Sequence, residues 1–135
     1  MLSGVRSIYQ ASGSVVEPDG SELKVNLKVN QLKDGNFQGN LVVISGGGNV
    51  LHAIIDCFEM STEGEVKYAI VSGKTTKLFD FPSVLAAVKV DADGTALFGY
   101  HGYETTDANC EEVELGSFHW LTSLPSQKGK QFMVN

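Results

Sequence analysis

Leu23, Val25, Leu27 and Val29 alternate without exception with Lys24, Asn26, Lys28 and Asn30. Successive side chains of a strand point to opposite faces, so this segment is a β-strand with one dry face and one wet face. Pro18-Asp19-Gly20 before it and Asp34-Gly35-Asn36 after it provide the positive-φ positions and Asx side-chain bonds that hairpin turns use. Strands therefore precede and follow it, over 5–16 and 37–45.

The same rhythm continues. Gly46-Gly47-Gly48 with Asn49 reads as a hairpin tip leading into a strand over 50–60, and Glu63-Gly64 turns the chain into 65–72. A Phe79-Asp80-Phe81-Pro82 corner precedes a strand over 84–90, with a short helical turn at 82–87 as the competing reading. Asp91-Ala92-Asp93-Gly94 turns into 95–103, and a last long strand is expected over 111–121. Its apolar parity switches from Val113 and Leu115 to Phe118 and Trp120, which predicts a bulge at Gly116-Ser117.

About eight strands spaced near ten residues apart, joined by hairpins and without a long amphipathic helix, define an all-β chain. The favoured architecture is a single antiparallel β-barrel, because a long meander removes its edges by closing; a two-sheet β-sandwich is the alternative. Residues 1–124 form this domain, and 125–135 a polar linker with an apolar C-terminal arm. A length of 135 residues suits one core.

A net charge of −6 opposes binding to nucleic acid or to an anionic membrane, both of which call for clustered Lys and Arg. No apolar run reaches the ~20 residues of a membrane-spanning helix, and the N-terminus carries no signal-peptide h-region, so a soluble chain is expected. Cys57 and Cys110 are expected to be free buried thiols, with one disulfide as the alternative.

Motifs that carry chemistry are weak. Ser72-Gly73-Lys74-Thr75 imitates the end of a phosphate-binding loop, but Tyr68 stands where that motif needs glycine and no helix follows. Asp91 and Asp93 lack the further oxygen ligands of a calcium loop, and no CxxC or HxxxH pair suggests zinc. Neither cysteine has a basic neighbour to activate it, and no Gly-x-Ser-x-Gly elbow occurs. Glu112 and Glu114 on one strand face read as a charged edge. No cofactor or metal is implied, and the balance is against an enzyme.

The residues left to weigh are His52 and Asp56, on the face of their strand opposite Leu51, Ala53, Ile55 and Cys57. Lining a cavity with Ile54 and Phe58, they would be two polar points in an apolar pocket; the solvent-facing or hydrogen-bonded reading is favoured. In Tyr100-His101-Gly102-Tyr103, alternation puts Phe98 and Tyr100 on one face and His101 and Tyr103 on the other. Trp120, the single tryptophan, is by default a core anchor.

These features point to a non-catalytic, β-rich structural or binding protein that acts by assembly into an oligomer or particle, with itself or another protein as partner. Phe132, Met133 and Val134 are the expected assembly residues. The alternative is a small-molecule barrel, a carrier or a cyclase or isomerase, holding an apolar ligand near His52, Asp56, Tyr100 and Trp120. Sugar binding on Tyr100 and Tyr103 is a third reading. An interior packed with aliphatic side chains would favour assembly, whereas a cavity of several hundred cubic ångströms, on the ~300–1,000 Å³ scale of ligand pockets, would favour a ligand.

Overall fold

The computed structural model describes residues 5–76, 81–123 and 131–135. Among them the strands are β1 (Arg6–Val16), β2 (Glu22–Gln31), β3 (Phe37–Ser45), β4 (Val50–Glu63), β5 (Val66–Thr75), β6 (Ser83–Val90), β7 (Ala96–Tyr103) and β8 (Met133–Val134). All belong to one antiparallel sheet in the order β7-β6-β5-β4-β3-β2-β1-β8, curled into a half-barrel. The chain is all-β, with β1 to β7 following the expected meander; residues 82–87 belong to an extended segment and β6, not to a helical turn. The expected Phe79-Asp80 corner and the linker 125–130 lie outside the described residues.

Four hairpins share one turn. In each, the first residue's N–H donates to the carbonyl four residues on and its carbonyl accepts from a glycine N–H, as with Glu17, Ser21 and Gly20. Gly20, Gly35, Gly48 and Gly94 adopt φ of 88–91°, a region that residues with a Cβ seldom enter. In three of the four an aspartate precedes the glycine, and its carboxylate accepts the backbone N–H two residues on: Asp19 from Ser21, Asp34 from Asn36 and Asp93 from Thr95, each at 2.9 Å. The Asp-Gly pairs fix where each strand ends.

Leu23, Val25, Leu27 and Val29 are all buried on the concave side of the sheet, between 0 and 3% exposed. They meet Leu41, Val43, Leu51, Ile55, Val71 and Val88 in the main core. Near the β2–β3 turn the interior is filled by Tyr9, Phe37 and Phe58, with ring centroids 5.6 Å apart in both Tyr9–Phe58 and Phe37–Phe58.

The edges of the sheet are joined by the C-terminal segment. Leu121 exchanges two backbone hydrogen bonds with Phe98 of β7, at 2.7 and 3.0 Å, and Val16 of β1 donates to the Thr122 carbonyl at 2.9 Å. The arm then runs along β1, pairing Ala11 with Val134 and Ser12 with Met133. Gly13 makes room for it: a Cβ there would lie 2.4 Å from the Gln131 carbonyl oxygen. Phe132 is 1% exposed, edge-on to Phe98 at 5.9 Å between ring centroids. Phe132, expected as an assembly residue, packs in this chain's own core. The seam between β1 and β7 needs a large apolar side chain, and Phe132 fills it from within this chain; Met133 remains exposed and Val134 half-buried.

A strand over 111–121 does not form. Residues 104–120 instead cross the convex side of β5, β6 and β7 as an irregular strap, with one 3₁₀ turn at Leu115–Ser117 where a bulge was expected. Beneath the strap lie Ile70, Leu85 and Ala87; Cys110, Phe118 and Trp120 pack onto them from above. This side of β5 and β6 is apolar, and the strap covers it.

A bulge in β4 sets the strap's anchor. Ile55 lies opposite Gly73 and Cys57 opposite Ser72, so one extra residue, Asp56, interrupts the pairing. Parity reverses there: Phe58 turns into the barrel, and Cys57 leaves the face of Leu51, Ala53 and Ile55 on which alternation had placed it. Cys57 now faces the strap and forms a disulfide with Cys110, at a Cα–Cα distance of 5.8 Å. The expectation of two free thiols is overturned, because the bulge brings together two cysteines that unbroken alternation keeps on opposite sides of the sheet.

Candidate functional site

The structure does not bring His52, Asp56, Tyr100 and Trp120 together. His52 and Asp56 stand on the convex side of β4. The His52 ring is held at both nitrogens: Nε2 lies 2.8 Å from Asn40 Oδ1, and Nδ1 lies 3.2 Å from the Thr76 hydroxyl. Asp56 faces Lys74 at 3.7 Å. His52 is half-buried and hydrogen-bonded, Asp56 is exposed and ion-paired, and neither reaches the barrel interior.

Tyr100 points the other way, into the mouth of the half-barrel, stacked on Phe98 at 5.9 Å. It borders a cleft of about 120 Å³ with Glu17, Leu23, Leu51 and Phe81. Burial, with a smaller contribution from the Glu17 charge, pushes its phenol above the usual tyrosine range. Burial also raises the phenol of Tyr9 in the interior. Trp120 belongs to the strap, against Phe118 and Tyr68 at 5.3 and 6.0 Å, with the Lys89 ammonium 5.5 Å from its ring. It anchors the outer layer, not the inner core.

Two buried serines that the motif analysis did not assign to this role hold the strap in register. Ser72 Oγ accepts the Cys110 N–H at 3.0 Å. Ser83 Oγ donates to the Thr105 carbonyl at 2.6 Å and accepts the Ala108 N–H at 3.2 Å. Both serines are at most 1% exposed, and each finds its hydrogen-bond partners in the strap backbone. A polar residue at an otherwise apolar parity of β5 and β6 is the signal that could have found them.

On the convex side of β3 and β4 no such cover lies among the described residues. Ile44 pairs with Val50, Val42 with His52, and Asn40 with Ile54. Ile44, Val50 and Ile54 are 37, 46 and 43% exposed, and Lys24 stands directly beside Ile44 on β2. A groove of about 390 Å³ opens here along Gly13, Ser14, Lys24, Asn26, Val42 and Ile44. The sequence did carry a signal: Leu41-Val42-Val43-Ile44 and Ala53-Ile54-Ile55 are apolar at both parities, as are Ala69-Ile70-Val71 under the strap. A strand apolar on both sides is normally covered on both.

The strap itself bears a second recess, of about 320 Å³, floored by Leu85 and Phe118 and rimmed by Glu112, Glu114, His101 and Tyr103. His101 and Tyr103 meet edge to face at 5.4 Å, on the side of β7 opposite Phe98 and Tyr100, as alternation predicts. Among the described residues no group of three or more His, Cys, Asp or Glu is arranged to hold a metal ion, and no helix is long and apolar enough to cross a membrane. Neither a family model, nor a curated protein, nor a solved structure matches this chain.

Proposed function

We propose that this chain is a non-catalytic, β-rich structural or binding protein that acts by assembly, with the convex side of β2–β4 as its contact surface. One observation carries the reading: Ile44, Val50 and Ile54 form an exposed apolar patch on strands whose opposite side already builds the core. Leaving that area in water costs free energy that contact with another protein surface recovers, at ~25 cal/mol per Å² removed from water.

The small-molecule alternative is less well supported. It requires an interior cavity, whereas the concave side is occupied by close-packed residues from Val15 to Phe132. The cleft at the mouth, about 120 Å³, is well below the usual size of a ligand pocket.

Sedimentation velocity of the full chain over a range of concentrations tests the proposal. The chain should associate, and Ile44→Glu with Ile54→Glu should return it to the monomer with its β-sheet circular dichroism unchanged. A wild-type chain that stays monomeric throughout, or a double variant that associates as before, rejects the reading.

A further inference from the structure

Resting on that reading, we propose that the occupant of the β2–β4 face is the acidic recess on the strap of a second copy of this chain, so that copies associate head to tail. The two surfaces are complementary in polarity and in charge. The face offers exposed apolar side chains, Ile44 and Val50, with Lys24 beside Ile44 and Lys28 two positions along the same side of β2. The recess offers an apolar floor, Leu85 and Phe118, with the carboxylates of Glu112 and Glu114 at its rim. Ile44 entering the recess brings Lys24 toward the rim glutamates.

The charge is distributed to suit this contact. Residues 104–114 hold five carboxylates, Glu104, Asp107, Glu111, Glu112 and Glu114, and no lysine or arginine, in a chain whose net charge is −6. The rest of the molecule is thus close to neutral, and the convex side of β2 carries Lys24 and Lys28 as exposed cations. Two faces meeting each other would set these lysines against their own copies, and two straps would oppose their carboxylates. Face against strap is the pairing that opposes unlike charges.

One molecule cannot satisfy itself. The face lies on β2–β4 and the recess on β6 and β7, and both point outward from a sheet that curls inward between them. A pair of copies therefore still presents one unused face and one unused recess after each contact. Such an interface is heterologous: it closes into a ring if the rotation between copies allows and otherwise extends as a filament.

Two charge-reversed forms of the full chain test the inference: Lys24→Glu with Lys28→Glu on the face, and Glu112→Lys with Glu114→Lys on the strap. All four residues are exposed, so both forms should fold. In sedimentation velocity each alone should lose all species above the monomer. An equimolar mixture should regain association, at least as a one-to-one pair, because the intact face of one form meets the intact recess of the other. Higher salt should weaken the wild-type association, as these charges lie at the surface. If the strap variant associates as the wild type does while Ile44→Glu with Ile54→Glu abolishes association, the recess is not the occupant, although assembly through the face stands. A mixture that stays monomeric also overturns head-to-tail contact.

Discussion

Two stretches of the same sheet turn apolar side chains away from the barrel, and the chain treats them differently. Over β5–β7, Ile70 and Leu85 are 3 and 4% exposed beneath a strap fixed by the Cys57–Cys110 disulfide and by Ser72 and Ser83. Over β3 and β4, Ile44, Val50 and Ile54 are an order of magnitude more exposed. Both stretches read alike in sequence, as strands apolar at both parities. What separates them is that the strap carries matched polar anchors, and among the described residues those anchors sit on β5 and β6 and at the β4 bulge. Cover of an outer layer thus depends on placed hydrogen bonds and a cross-link as much as on the apolar surface beneath it.

The strongest challenge to this contrast is Phe132. The chain's C-terminal half supplies both the strap and the seam, and if Phe132 serves this chain's own core, Phe132→Ala should destabilise the fold by roughly 3 to 5 kcal/mol. Denaturant unfolding measures it. A loss of association with stability unchanged would place Phe132 in a contact between copies instead.

The direct comparison uses one residue type on the two sides. Ile70→Ala, under the strap, should cost roughly 2 to 5 kcal/mol, whereas Ile54→Ala, on the bare face, should change monomer stability by no more than about 0.5 kcal/mol. Equal costs in unfolding experiments at a concentration that keeps the chain monomeric would erase the distinction between the two faces.

The disulfide should come next. It closes a sequence separation of 53 residues, and replacing both cysteines with serine should remove about 2 to 4 kcal/mol. Oxidised protein should also show no free thiol under denaturing conditions before reductant is added. Faster hydrogen exchange after reduction should be confined to the strap and the β5–β6 residues beneath it. Spread evenly over the sheet, it would mean that the strap is not a separate layer.

The smallest effect belongs to the turns, which serve both faces alike. Hydrogen bonds from Ser21, side chain first and then backbone, hold the Asp19 carboxyl below the usual aspartate range. The backbone N–H of Thr95 chiefly does the same for Asp93. A carboxyl depressed in the folded state contributes stability that is whole above its unfolded value, about 3.9, and is lost as pH falls through the folded value. Acid titration of unfolding should show this loss below about pH 4. Asp19→Asn with Asp93→Asn should flatten that part of the profile; an unaltered profile would assign the acid sensitivity elsewhere.

Sequence alone determined the strands β1 to β7, because the alternation of residues 23–29 admits one backbone geometry and each Asp-Gly turn fixes where a strand must end. It also determined which residues of β2 face the core and how those of β7 divide between its two faces, since nothing interrupts their alternation. Tertiary structure decided what depends on a single inserted residue or on a distant partner. The bulge at Asp56 reverses the parity of β4, which no local pattern announces, and so creates the disulfide. Residues 104–120 became a strap because burying Ile70 and Leu85 outweighed their local preference for a strand. His52, Asp56, Tyr100 and Trp120 could be placed on faces by alternation, but not relative to one another. Which side of a strand meets a partner depends on how the whole sheet curls, and on which of its apolar sides the chain is able to cover itself.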